Sequence, residues 1–250
     1  MGALVYAPRF FSAQSLPRPC ASGTTFDVGE AVARQLRVLR IAIGESITLF
    51  DGIGGEFLAT VASIGKRDAT VTLNSYDPIE RESPIEITLV QALATSDKMD
   101  LIVQKAVELG VTAIVPISTQ RATLKLDADR AEKRIAHWRA IAVAACEQCG
   151  RNRVPRVHAV QTLDQWLKSP REGAGVLLHP LAEKSLLGCA DATKPVAILI
   201  GPEGGFTADE IARAVAAGVV TAKFGPRTLR TETAGLAAMA ALAARFGDLA

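Results

Sequence analysis

The chain has 250 residues, 49% hydrophobic and 22% charged, with four cysteines and a formal net charge of +2 at pH 7. That length buries a substantial core in one large or two modest domains, while the composition excludes low-complexity and disulfide-scaffold classes, and no apolar run is long enough to span a bilayer. Pro8, Arg9 and Pro17 break up the start before a signal-peptide core can form, so a cytoplasmic protein is the expectation.

In chain order, residues 30–39 form a short amphipathic helix with Val32, Leu36 and Leu39 on one side. Three runs rich in β-formers follow, at 47–50, 56–64 and 69–75, joined by DGIGG (51–55) and GKRD (65–68). Short β runs joined by Gly/Asp turns predict a small antiparallel barrel or sandwich. The Pro- and charge-rich segment at 76–84 reads as a linker.

From Ile85 the texture changes to alternating strands and helices. The run at 85–93 is a buried strand. A helix capped by Thr95 or Ser96 follows, with Met99, Ile102, Val103, Ala106 and Val107 at helical spacing and Gly110 closing it. A strand at 111–117 completes a βαβ unit. A second helix covers 130–148, with Ile135, Trp138, Ile141, Ala142 and Ala145 as its stripe. Shorter elements lie at 156–160, 163–167 and 175–179. Two further apolar runs, 196–200 and 219–224, each stop at a glycine and lead through a turn into a helix. This pattern predicts a parallel sheet with crossovers, in which ligands bind outside the carboxyl ends of the strands.

Several residues are candidates for chemistry. Cys146 and Cys149 have redox spacing, but they end a helix, where the dipole disfavours thiolate, and no second ligand pair stands at zinc spacing. His137, His158 and His179 form no recognisable triad. The loop at 201–205, GPEGG, lies between a strand and a helix with a Thr207/Glu210 capping box. It could cradle phosphate, yet Glu203 would repel one and suits ribose hydroxyls or a cation instead; a plain sharp turn is the third reading. The loop at 225–233 puts Arg227, Arg230 and Glu232 just before an Ala/Gly-rich helix that permits close packing, either in the core or between subunits. Arginines cluster at Arg34, Arg37 and Arg40, which fall roughly on one helical side with Arg9 preceding them, and at Arg151, Arg153 and Arg156; two such clusters fit a polyanion footprint.

Together GPEGGF (201–206), FGPRTLRTETA (224–234), LLHP (177–180) and EQCGRNRVP (147–155) resemble the RsmE-type methyltransferases of the SPOUT superfamily, which methylate N3 of a uridine in 16S ribosomal RNA. APRFF (7–11), RVLR (37–40), FDG (50–52) and the helix at 98–111 extend the likeness over nearly the whole chain. Two features depart from it: Ala33 and Arg34 stand where relatives often carry histidines, and Thr228 where a branched apolar residue is common.

The resemblance implies an α/β SPOUT methyltransferase domain with a deep trefoil knot over 85–250. A PUA-like RNA-binding β-barrel over 1–75 would precede it, joined by the linker at 76–84. It implies a homodimer, S-adenosylmethionine as cofactor, no metal, and 16S rRNA in the assembled small subunit as partner. Cofactor contacts are then expected at Leu178, His179, Gly201, Glu203, Gly205, Phe224, Gly225 and Leu229. RNA contacts are expected at Arg9, Arg37, Arg40, Arg121, Arg151 and Arg153. For catalysis, Arg230, with Arg227 second, would steady the uracil anion, and Glu232 would orient an arginine or take the proton. A non-catalytic RNA-binding assembly factor and a nucleotide-binding α/β enzyme remain as alternative classes.

Overall fold

A computed structural model describes residues 7–191 and 193–249. Two units divide the chain, the first running to Glu82 and including Cys146–Val154, the second comprising Ser83–Ala145 and Pro155 onward.

In the first unit, β1 (Arg9–Phe11), β2 (Thr24–Asp27), α1 (Gly29–Val38), β3 (Ser46–Phe50), β4 (Glu56–Ile64) and β5 (Ala69–Asp77) follow in order. The strands form a sheet in the order β1-β3-β4-β5-β2, with β1 parallel to β3 and the other pairs antiparallel. Alternate residues face one core: Phe57, Ala59 and Val61 from β4 and Ala69, Val71 and Leu73 from β5, covered by Val32, Ala33 and Leu36 of α1.

Three expectations change here. β5 continues through Tyr76 and Asp77, where the sequence reading begins the linker, because both still pair with β4 and the Tyr76 ring lies 4.9 Å from that of Phe57. Leu39 is not on the buried side of the helix but 56% exposed. Arg40 is not helical: it takes φ 58°, and the bonds Arg40 N–H to Arg37 O and Ile41 N–H to Leu36 O close a Schellman turn around it. It therefore does not share a helical face with Arg34 and Arg37.

The second unit contains β6 (Ile87–Ala92), α2 (Ser96–Glu108), β7 (Ala113–Ser118), α3 (Ala128–Cys149, whose last four residues group with the first unit), β8 (Arg156–Val157), β9 (Gln161–Thr162), α4 (Leu163–Lys168), β10 (Ala174–Leu178), α5 (Leu186–Cys189), β11 (Val196–Ile200), α6 (Ala208–Ala216), β12 (Val220–Ala222) and α7 (Thr231–Phe246). Its sheet runs β12-β10-β11-β6-β7-β8, with β9 also on β7, and every pairing is parallel. The buried stripe of α2 is Met99, Ile102, Val103, Ala106 and Val107, as its spacing predicts. α7 lies against α2, β6 and β11. Its Gly235 lets the backbones approach: a Cβ there would sit 3.0 Å from Leu89 Cδ1 and 3.3 Å from Ile200 Cγ1.

The segment Cys146–Val154 departs from the expectation that everything after residue 85 forms one piece. Polar contacts draw it into the first unit. Arg81 donates to Gly150 O at 3.0 Å, Asn152 Nδ2 to Ile79 O at 2.8 Å, Arg9 to Asn152 Oδ1 at 2.7 Å, and Phe11 N to Glu147 Oε1 at 2.9 Å. Among the described residues no helix is long and apolar enough to cross a membrane.

Candidate active site

Two loops leave the carboxyl ends of β11 and β12 and converge. The first, 201–206, is closed by a capping box at α6: Glu210 N donates to Thr207 Oγ1 at 3.2 Å, and Thr207 N to Glu210 Oε2 at 2.8 Å. Glu210 is buried and its other oxygen accepts from Gln120 N at 2.8 Å. The cap thus also anchors the turn that carries Arg121, whose Nη1 donates to Gly204 O at 3.0 Å.

The second loop is held to the first from within. Thr231, at the start of α7, donates from Oγ1 to Gly201 O at 2.7 Å and accepts from Gln91 Nε2 at 2.9 Å. Gln91 is fully buried at the carboxyl end of β6, where it also donates to Ala92 O at 3.0 Å. A strand residue with no role in the sequence reading therefore positions both loops.

A third tie is ionic. Lys98 Nζ stands 2.9 Å from Glu203 Oε1 and 3.4 Å from Glu232 Oε2, while Thr123 Oγ1 donates to Glu203 Oε2 at 3.2 Å. Burial pushes the Glu203 carboxyl up, but the Lys98 ammonium and further hydrogen bonds hold it below its usual value of 4.5. The same contact with Glu203 raises the Lys98 pKa. Sequence reasoning missed Lys98. One signal was present: a cation in the first turn of a helix, where anions are favoured.

Between the loops lies a cleft of about 650 Å³, within the usual range for small-molecule sites. Leu178, His179, Gly201, Glu203, Gly205, Leu229 and Arg230 line it. An adjoining recess of about 70 Å³ shares Leu178, His179 and Leu229 and adds Phe224, Gly225 and Arg227.

A family described as RNA methyltransferase domain matches residues 81–243, and one described as RNA methyltransferase PUA domain matches residues 36–74. Ribosomal RNA small subunit methyltransferase E of Bacillus subtilis is 32% identical over 228 residues, covering 87% of this chain and 89% of its own length. This chain belongs to that family. The Buchnera aphidicola (Acyrthosiphon pisum) methyltransferase E is 30% identical over 215 residues, 85% of this chain and 84% of its own. A Neisseria gonorrhoeae methyltransferase E solved with S-adenosylmethionine is 39% identical, covers 98% of this chain and 100% of its own, and superposes with TM-score 0.91. A Legionella pneumophila protein solved with the same cofactor gives 36% identity, 98% and 100% coverage, and TM-score 0.90.

For a methyltransferase E, the donor set of the cleft fits S-adenosylmethionine. Leu178, Leu229 and Phe206 offer apolar surface for an adenine. Gly205 and Gly225 take positive φ, 68° and 72°, with nothing within 4 Å of the missing Cβ, so bare main chain faces open space. Glu203 gives the cleft a carboxylate held beside Lys98, with Glu232 on the other side of that ammonium. Glu232 Oε2 is buried without a hydrogen bond and faces the Lys98 ammonium at 3.4 Å.

The residues expected for catalysis differ in their freedom. Arg227 and Arg230 are exposed and their side chains make no hydrogen bond or ion pair with the described residues, whereas Glu232 is engaged with Lys98.

The arginines expected at RNA divide more sharply. Arg121 lines the cleft. Arg9 is committed to Glu56 and Asn152, its side chain 11% exposed, and Arg151 is 5% exposed and forked onto Glu82; these two hold the first unit together rather than presenting charge to a phosphate. Arg37 is exposed and donates to Lys66 O, Arg40 is exposed, and Arg153 is 58% exposed beside Glu80 at 3.5 Å.

Cys146 is buried and held as a thiol: burial pushes it up to about 12. Beside it in sequence terms, His137 and the buried Trp138 both bond to Asp100, at 2.9 and 3.1 Å, which accounts for them by packing.

Proposed function

We propose that this chain transfers a methyl group from S-adenosylmethionine to N3 of a uridine in 16S rRNA. The observation that carries the reading is the convergence of two strand-end loops on one cleft, with Arg227 and Arg230 unpaired at its walls. The family's names supply the substrate, and the donor set supplies the cofactor.

Uracil N3 carries a proton and is a poor nucleophile until that proton leaves. Arg230, at the N-cap of α7 with its guanidinium uncommitted, donates to the charge that spreads over N3, O2 and O4. Arg227 serves second, and such a donor contributes roughly 2.7–4 kcal/mol. The Glu232 carboxylate accepts the N3 proton or orients an arginine. S-adenosylmethionine, when bound, supplies a methyl on a sulfonium sulfur whose bonding electrons stay with the sulfur as N3 attacks. Glu203 meets the ribose hydroxyls, and the apolar wall formed by Leu178 and Leu229 limits water near the reacting atoms.

The same reading assigns the first unit a PUA-like barrel that grips RNA, with Arg37, Arg40 and Arg153 as its exposed cations. It also assigns the second unit a deep trefoil knot. The strand order supports threading, since β10 lies between β11 and β12 and α7 returns to β6 and β11. A homodimer, a cytoplasmic location and the assembled small subunit as substrate complete it. No metal enters the scheme.

The test is tritium transfer from labelled S-adenosylmethionine to undermodified small subunits, with the product mapped by primer extension, because an N3 methyl blocks the Watson–Crick edge. Wild type should label one uridine. Arg230→Ala should lose about 10²–10³-fold in kcat with unchanged cofactor binding, and Arg230→Lys should recover part. Wild-type turnover by both variants would remove Arg230 from catalysis; absence of transfer by wild type would sink the reading.

A further inference from the structure

Lys98 occupies the first turn of α2, where the unpaired N–H groups of the helix disfavour a cation. Its ammonium is nonetheless the meeting point of three elements: α2 itself, the loop after β11 through Glu203 at 2.9 Å, and the first turn of α7 through Glu232 at 3.4 Å. Its side chain is 26% exposed, and those of Glu203 and Glu232 are 31% and 16% exposed. Without the ammonium, the two carboxylates that it contacts would be left uncompensated near one another, and their repulsion would favour separation of the two loops. Thr123 fixes the second oxygen of Glu203, so Lys98 and Thr123 together leave that carboxylate one orientation.

We propose that Lys98 is a positioning residue for the methyl transfer, an ionic latch that sets Glu203 and Glu232 at the same time and so couples the cofactor loop to the catalytic loop. The proposal rests on the methyltransferase reading above. A separate tie between the same loops is the hydrogen bond from Thr231 Oγ1 to the backbone carbonyl of Gly201. That bond ties the loops; the latch aims the carboxylates. A locally disfavoured cation that two separate elements turn towards marks a site built for a task rather than for helix stability.

Full-length Lys98→Met keeps most of the aliphatic stem and removes the charge; Lys98→Arg keeps the charge in another shape. Lys98→Met should raise the S-adenosylmethionine Kd by calorimetry at least about tenfold and lower kcat further, with melting temperature and far-UV circular dichroism close to wild type. Lys98→Arg should restore part of both. Combined with Glu203→Gln, Lys98→Met should cost little beyond the larger single effect, because both changes break one unit. In the ligand-free protein, amide hydrogen exchange should quicken in both 202–206 and 231–234. Wild-type Kd and kcat in Lys98→Met, fully multiplicative losses in the double variant, or unchanged exchange in both loops would each overturn the proposal. Should Lys98→Met fail to fold, the same measurements on Lys98→Gln decide it. A wild type that transfers no methyl would instead sink the underlying reading, and the exchange data would still show whether the loops are latched.

Discussion

Thr231 Oγ1 donates to the carbonyl of Gly201 at 2.7 Å, although the two residues lie 30 positions apart, Thr231 opening α7 and Gly201 directly following β11. This bond, backed by Gln91 Nε2 at 2.9 Å, makes the two strand-end loops one structure. Thr231→Val keeps the shape but leaves Gly201 O without that donor while Gln91 retains Ala92 O. The loss should be about 1–3 kcal/mol of stability. Cofactor affinity should fall alongside it, measured by denaturant titration and calorimetry. A variant as stable and as tight-binding as wild type would show that the loops are held by other means.

Gly235 is a point of close approach between α7 and the sheet. A valine there must displace Leu89 and Ile200, whose atoms lie 3.0 and 3.3 Å from the added Cβ. Overpacking should cost about 1–3 kcal/mol. Gly235→Ala should stay within about 1 kcal/mol of wild type, since the helix-propensity gain opposes the milder crowding. Thermal denaturation of both variants checks the order.

Arg40 holds a left-handed backbone at φ 58°, at the position of a Schellman turn where glycine is usual; the corresponding turns after α2 and α6 use Gly110 and Gly218. Arg40→Gly relieves about 1–2 kcal/mol of local strain and returns about 0.5–1 in chain entropy. The net expectation is a gain of up to about 1 kcal/mol, seen as a raised melting temperature. If Arg40 contacts RNA as proposed, the same variant should bind RNA more weakly, with its salt dependence reduced by about one counterion. A more stable variant with unchanged RNA affinity would assign Arg40 a turn and nothing more.

Glu56 carries one pH-sensitive ion pair of the first unit. Burial raises its carboxyl pKa, but Arg81 and Arg9 together outweigh burial and hold it below the usual 4.5. A carboxyl depressed in the folded state stabilises above its unfolded pKa and loses that contribution as pH falls through the folded value. Glu56→Gln should therefore be less stable than wild type at pH 7, by about 1–3 kcal/mol. The gap should close as pH drops below about 4. Calorimetry of both proteins across pH 3–7 reads the gap directly, and a constant difference would contradict the ion-pair account.

Local pattern made much of the fold legible. The stripe of α2, the alternation in β4 and β5, the capping box at Thr207 and Glu210 and the strand at 196–200 depend on residues a few positions apart, so their spacing carries the physics. β1 and α5 were invisible for the converse reason. Three or four residues are too few for a period, and β1 exists because Arg9 to Phe11 can pair with Thr48 to Phe50.

By itself, the sequence determined the chemistry on offer: a carboxylate in a glycine turn, arginines before an Ala-rich helix, and a family likeness spanning the chain. Only the tertiary structure decided which of those charges are free. Arg9 and Arg151 looked like cations for RNA, yet they are spent on Glu56 and Glu82, 47 and 69 residues away, while Arg227 and Arg230 remain uncommitted. Lys98, marked in sequence only as a cation in the first turn of a helix, became the charge between two carboxylates. Ion pairs and hydrogen bonds act over a few ångströms in space, and the chain folds residues far apart in order into that range.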